Sequence, residues 1–228
     1  MQLRASPHTF FKGSAGGLLL KANIENAKTI PALRRLLEAY QESIVIVGAH
    51  FFYLAKEDFE AMNHYSDDYP LSRLARMGKF DLKKVGNYHR NVVRLFQNPQ
   101  RDYANAVFVL PNHYSKGLTE KVFMKNGQIF APANPVIYSA SASVYRPPSK
   151  ISPATESLVC QLERSTVKVV LVFGIFRDAC VKTCVDSIRK VITKLGRNDL
   201  YLVTNQLITK NADDFMARKF RFEYKPSP

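Results

Sequence analysis

The sequence offers no apolar run near the roughly 18–20 residues that a membrane-spanning helix needs. Its longest candidate, Val167 to Phe176, has the length of a buried strand. A soluble protein is expected, with no membrane partner. Cysteine is scarce: Cys160, Cys180 and Cys184 lie in one half of the chain and form no CxxC pair. That excludes a disulfide scaffold and a cysteine-based zinc site. It points to a reducing compartment and to no disulfide-linked partner. The first residues, MQLRASPHTFFKG, lack the apolar core of a secretory signal. They are basic and free of acid, which suits either an organelle-targeting segment or a first strand at Met1–Ala5. Internal repeats and low-complexity tracts are missing as well.

Negative charge is also in short supply. Nineteen Asp and Glu face 33 Lys and Arg across 228 residues, a formal net charge of +14. Such an excess favours a partner that carries phosphate, because each neutralised phosphate releases counterions. The competing readings are a solubilising surface and the basic drift of mitochondrial matrix proteins. The apolar fraction of 46% is enough for one domain with a full core, so the whole chain, 1–228, is read as a single domain.

What is present reads as alternating helices and buried strands. A glycine-rich stretch, GSAGG, is expected to be a loop. Between Asn26 and Gln41, Ile30, Leu33, Leu37 and Tyr40 share one helical face, and SIVIVG (Ser43–Gly48) follows as a buried parallel strand. The stretch 60–103 breaks the pattern, with eight Lys or Arg against four Asp after Glu60. It is read as an inserted basic arm outside the core, with short helices at Leu71–Met77 and Tyr88–Gln97, ended by Asn98-Pro99. A plain solvated face is the alternative.

Ala106–Leu110 suits a strand, Lys125-Asn-Gly127 a turn, and Ser152-Pro153 the cap and first turn of a helix through Leu162. The clearest unit is Val167–Gly174 as a strand, a helix with Val181, Cys184, Val185, Ile188, Val191, Ile192 and Leu195 on one face, Gly196 as its stop, and Asp199–Thr204 as the next strand. Helices between buried strands imply βαβ units and a mostly parallel sheet, in an α/β, three-layer αβα class. A basic, aromatic tail spans about 216–228.

In an open parallel sheet, ligands gather at the C-terminal ends of the strands. Cys180 stands there, at the first turn of a helix, where unpaired N–H groups favour a thiolate. A small buried apolar residue is the alternative reading. The segment GIFRDACVKTCVDSIRK (Gly174–Lys190) resembles the signature of the isochorismatase-like and nicotinamidase cysteine hydrolases, with Gly174, Asp178, Cys180, Val181 and Thr183 in register. HTFFKGSAGGLLLKAN, SIVIVGAHFFYLAKEDF and LPNHYSKGLTEKV (with Pro111, His113 and Gly117) resemble three further family segments in the same order.

The resemblance implies a parallel hydrolase fold with an Asp base, a Lys that stabilises the anionic centre and a Cys nucleophile. In this sequence the Asp position falls on Ala5 and the Lys position near Ser139, and Cys180 alone remains of the triad. Of the metal positions, the Asp falls on His50, one His on Phe52, and the other is matched by His113. No metal or other cofactor is expected from so degenerate a set; His8 is the one residue placed to replace the lost base.

The resemblance therefore implies a pseudoenzyme. On this reading Arg73, Arg76, Lys79, Lys83, Lys84, Arg90 and Arg94 of the arm, with Lys219, Arg221 and Tyr224 of the tail, contact RNA or proteins of a large nucleoprotein complex. A mitochondrial ribonucleoprotein such as the ribosome is the expected setting, with the cytoplasm as the alternative. Two competitors stand beside it. One is an active hydrolase or amidase using Cys180 with His8 or His50 as base; the other is a metabolite sensor built on the vestigial pocket, which Phe52 and Phe176 would close.

Overall fold

The computed structural model describes residues 14–51, 81–96, 105–110, 134–139, 141–144, 152–175 and 177–215. Helices α1 (Ser14–Asn26) and α2 (Ile30–Ala39) lead into strand β1 (Ile44–Ala49). Then come α3 (Leu82–Phe96), β2 (Ala106–Leu110), β3 (Val136–Tyr138), α4 (Pro153–Glu163), β4 (Val169–Ile175), α5 (Lys182–Lys194), β5 (Tyr201–Val203) and the short β6 (Thr209–Lys210). The strand order is β3-β2-β1-β4-β5, with β6 beside the end of β4, and every ladder is parallel.

Every residue of β1, β2 and β4 is buried, which is why these strands read as unbroken apolar runs. Alternate side chains serve two separate cores. Ile44, Ile46, Phe108, Leu171 and Phe173 meet α1, α2 and α3, while Val45, Val47, Val107, Val170 and Val172 meet α4 and α5. The sheet is thus sandwiched between helices, as the α/β expectation requires. The crossover through α3 runs towards β2 on one face, and the crossover through α5 runs the other way on the opposite face. That combination gives both connections the same hand, as the right-handed rule for parallel crossovers requires.

Two expectations are corrected. From Ser14 onward GSAGG is not a loop but the start of α1, whose Gly16, Gly17, Leu20 and Ile24 are buried. A Cβ on Gly17 would lie 2.9 Å from the Tyr201 ring and 3.3 Å from Lys168 Cβ, so glycine here permits close approach of helix to sheet. The stretch expected as an outlying arm supplies α3, which starts at Leu82 and sends Tyr88, Val92, Leu95 and Phe96 into the core. Asp81 starts it by accepting hydrogen bonds from the N–H groups of Lys83 (3.0 Å) and Lys84 (3.2 Å). The expected helix at Leu71–Met77, the strand at Met1–Ala5, the turn at Lys125–Gly127 and the tail lie outside the described residues.

Other local signals hold. Ser152 Oγ accepts from the Thr155 N–H at 3.2 Å, capping α4. Gly196, at φ 65°, ends α5 with Gly196 N–H bonded to Thr193 O and Arg197 N–H to Ile192 O, both at 3.1 Å. Among the described residues no helix is long and apolar enough to cross a membrane, and all three cysteines are free.

The N-terminal end of the sheet is held by Arg197, which the sequence reading passed over. Its guanidinium donates to the carbonyls of Leu162 (2.6 Å), Arg164 (2.9 Å) and Val167 (2.8 Å), tying the end of α4 to the approach of β4. Asp199 holds that guanidinium (2.7 Å) and Lys168 Nζ (2.6 Å). Hydrogen bonding from Arg197 is the main cause that keeps the Asp199 carboxyl well below the usual carboxylate range.

Two predictions follow from these contacts. Asp199 has a depressed folded pKa, so its contribution is complete above the unfolded value near 3.9 and is lost as pH falls through the folded one. Asp199→Asn should lower the urea midpoint at pH 7, and the gap from wild type should shrink below about pH 4; a gap that stays constant down to pH 2.5 would refute the linkage. The second concerns glycine. Gly196→Ala, with open space around it, should cost about 1 kcal/mol from its left-handed backbone alone. Gly174→Ala would put a Cβ 1.9 Å from Ala49 O and should cost more than about 4 kcal/mol in the same denaturation experiment.

Candidate functional site

The sheet reverses its winding between β1 and β4, and the crevice beyond their C-terminal ends is where such folds place ligands. β1 and β4 pair from Ile44 with Val169 to Ala49 with Gly174. The last pair is unusually tight, because Gly174 at φ 150° lets the Ala49 carbonyl sit where a side chain would be. The other side of β4 is taken by β5 and β6. The residue set directly beside the end of the Cys180 strand is therefore Ala49, followed by His50.

His50 turns out of β1 in a left-handed conformation, φ 50°, and is buried. Its N–H bonds to Val109 O at 2.9 Å, and its ring Nε2 donates to Ser139 O at 2.8 Å. Carbonyl oxygen only accepts, so Nε2 carries a proton in this arrangement. Ser139, also buried, donates its N–H to Leu110 O at 2.8 Å, and its hydroxyl is 3.5 Å from that of Ser141. The structure thus joins His50 and Ser139, which are 89 residues apart in the chain. Neither brings an anion or a fixed cation to the place where the family resemblance puts them.

Cys180 lies in a wide helical turn, Arg177–Val181, that leads into α5. Its side chain packs on the core beside α5, partly buried, and burial pushes the thiol up to about 11 against a smaller opposing effect of a backbone hydrogen bond. Cys184, one turn on, is fully buried and is driven higher by that burial and by the nearness of Cys180. Desolvation acts on the charged form and exceeds the backbone hydrogen bond that favours it, which runs against the expected stabilisation of a thiolate at the helix start. Asp178 is exposed and turned to the other side: it accepts from Asn211 Nδ2 at 2.6 Å while its own N–H bonds to Asn211 Oδ1 at 3.2 Å.

The opposite face of the same sheet end is filled by rings. Gly48 stands between Phe108 and Phe173 in the ladder, and a Cβ on it would meet Phe173, Phe108 and Phe51 within 2.8–3.0 Å. Phe51 lies 5.3 Å from Phe108 and 5.1 Å from Phe173, and Phe96 of α3 stacks on Phe173 at 5.2 Å. Phe51 was missed in the sequence; the legible signal was a strand glycine with large aromatics across from it on both sides. Asn205 was missed as well. It is buried and donates to Ile24 O (2.6 Å) and Ala27 O (3.0 Å), closing the end of α1 against the β5–β6 link.

Of the basic positions, Lys83, Lys84, Arg90 and Arg94 are all exposed on the outer side of α3. Arg73, Arg76, Lys79, Lys219, Arg221 and Tyr224 lie outside the described residues, as do Ala5, His8, Phe52, His113 and Phe176. No family model, curated protein or solved structure matches the chain.

The state of Cys180 is open to measurement. In a Cys160→Ser background, which removes the exposed thiol, alkylation of Cys180 by iodoacetamide should be slow at pH 7 and should rise with pH towards about 11. A labelling midpoint below about 8, the range of activated thiols, would show a functional thiolate.

Proposed function

We propose that this chain is a catalytically inactive member of the isochorismatase-like class that acts as a structural or assembly component of a larger ribonucleoprotein complex, in mitochondria and of the kind of the ribosome. The observation that carries the loss of catalysis is the packing of Cys180, partly buried, on the core beside α5, which pushes its thiol up to about 11 and away from the thiolate. A cysteine hydrolase needs the thiolate, and residues that act as a unit fail as a unit. The serine at position 139 and the alanine at position 5 supply neither a base nor a cation. These points weigh against an active hydrolase or amidase.

The partner class is supported by charge. Helix α3 carries Lys83, Lys84, Arg90 and Arg94 and contains no acidic residue. The spacing 83, 87, 90, 94 puts Lys83, Asn87, Arg90 and Arg94 along one outward line, while Tyr88, Val92 and Leu95 are buried opposite. Side chains of this kind hold phosphates without reading sequence. Part of the region read as a basic arm is thus a basic face mounted on the core. Net charge of +14 and free cysteines agree with a reducing, nucleic-acid-rich compartment.

The reading is tested by titrating a structured RNA over a salt series alongside turnover assays on amide and vinyl-ether substrates. Binding should weaken linearly in log–log form, and changing Lys83, Lys84, Arg90 and Arg94 to Ala together should flatten the slope by about 3–4. A flat salt dependence removes the RNA reading, and turnover abolished by Cys180→Ala removes the pseudoenzyme reading.

A further inference from the structure

Charge is distributed very unequally among the helices. In α1, Lys21 pairs with Glu25 at 2.7 Å; in α2, Arg34 pairs with Glu38 at 2.9 Å; α4 carries Glu156 and Glu163 and no basic residue. Two helices stand apart. One is α3, described above. The other is α5, with Lys182, Arg189, Lys190 and Lys194 exposed and Asp186 as its one acid. Asp186 is shared between Lys182 (2.6 Å) and Arg189 (3.0 Å), so one carboxylate is set against four cations on the helix.

These two helices lie on opposite faces of the sheet: α3 packs in the core with α1 and α2, and α5 packs in the core with α4. From this we infer that α5 is a second phosphate-binding face, and that one molecule holds two nucleic-acid segments at once, one on each side of the sheet. The inference rests on the reading of α3 as an RNA-contacting face and extends it. Three stacked layers of about 10 Å each separate the outer faces by roughly 30 Å, several times the roughly 8 Å Debye length of physiological salt. A strand held on one side therefore does little to repel a strand on the other.

The composition of both faces favours nucleic acid over an acidic protein. A protein interface needs buried apolar anchors at its centre. Among the described residues the exposed large hydrophobics are Leu18 and Leu19, both on α1, which shares a side of the sheet with α3, and neither is on α3 or α5 themselves. Lys182, Arg189, Lys190, Thr193 and Lys194, with the carboxylate of Asp186 between Lys182 and Arg189, give α5 an outer surface of four cations, one anion and one hydroxyl.

The test uses the full chain and a 12-base-pair RNA duplex of arbitrary sequence, labelled with two colours and added in excess, with coincidence of the colours on one protein molecule as the readout. Wild type should bind two duplexes. Changing Arg189, Lys190 and Lys194 together to Ala should leave one duplex bound and weaken the second about a hundred-fold at 0.1 M salt. Changing Lys83, Lys84, Arg90 and Arg94 should remove the other. Urea midpoints close to wild type establish that the variants are folded, since all these side chains are exposed. One duplex per wild-type molecule, unaffected by the α5 changes, overturns this inference and leaves the RNA reading standing. Binding of poly-glutamate in place of RNA overturns both.

Discussion

The pairing of β1 with β4 is the constraint from which the rest of the molecule is built. It joins segments more than a hundred residues apart into the middle of the sheet, and at its end Gly174 admits the Ala49 carbonyl into space that any side chain would occupy. Gly48, one residue earlier on β1, leaves a second gap on the opposite face, which Phe51, Phe108 and Phe173 fill. Two missing side chains therefore fix how closely the central strands approach and how the aromatic core seats over them. The winding of the sheet reverses at this junction, so α3 is sent to one face and α5 to the other. The positions of Cys180, His50 and both basic helices follow from it.

Much of this was legible where one physical signal dominated. Continuous β-branched runs gave β1 and β4, because strands buried on both faces have no polar positions to interrupt them. Ser152-Pro153 and Gly196 marked helix ends through their own backbone chemistry. The errors arose where tertiary contact overrides local propensity. Glycine in a helix costs about 1 kcal/mol relative to alanine, so Gly16-Gly17 reads as a loop until Tyr201 is seen packed against Gly17. The helix expected at Tyr88–Gln97 starts earlier, at Leu82, and Gly86 and the density of charge concealed that its Tyr88, Val92 and Leu95 pack into the core.

The candidate site was less legible than the fold. The bond from His50 to Ser139 O depends on β2 lying between the two strands that carry them, which no local pattern announces. Arg197 looked like one basic residue among many, yet it donates to three carbonyls, those of Leu162, Arg164 and Val167, between the end of α4 and the start of β4. The same guanidinium is kept in place by Asp199, which also holds Lys168. Positive charge is thus used in two ways in this protein: as internal hydrogen-bond donors at the N-terminal end of the sheet, and as exposed lines on α3 and α5.

Cys180 shows how these scales compete at one side chain. A favourable helix terminus stabilises a nearby anion by about 0.3–1 kcal/mol at an exposed site. Moving the thiol from its ordinary 9.0 to about 11 corresponds to about 3 kcal/mol against the thiolate. Burial is the larger effect, and it arises because the turn before α5 directs Cys180 onto the same core that encloses Val181 and Cys184. The helix-start position favours an anion, while the packing around it disfavours the charged form of the thiol. Making this thiol reactive would require both a neighbouring cation and a less enclosed side chain, and that second change would have to be made in the core that supports β4.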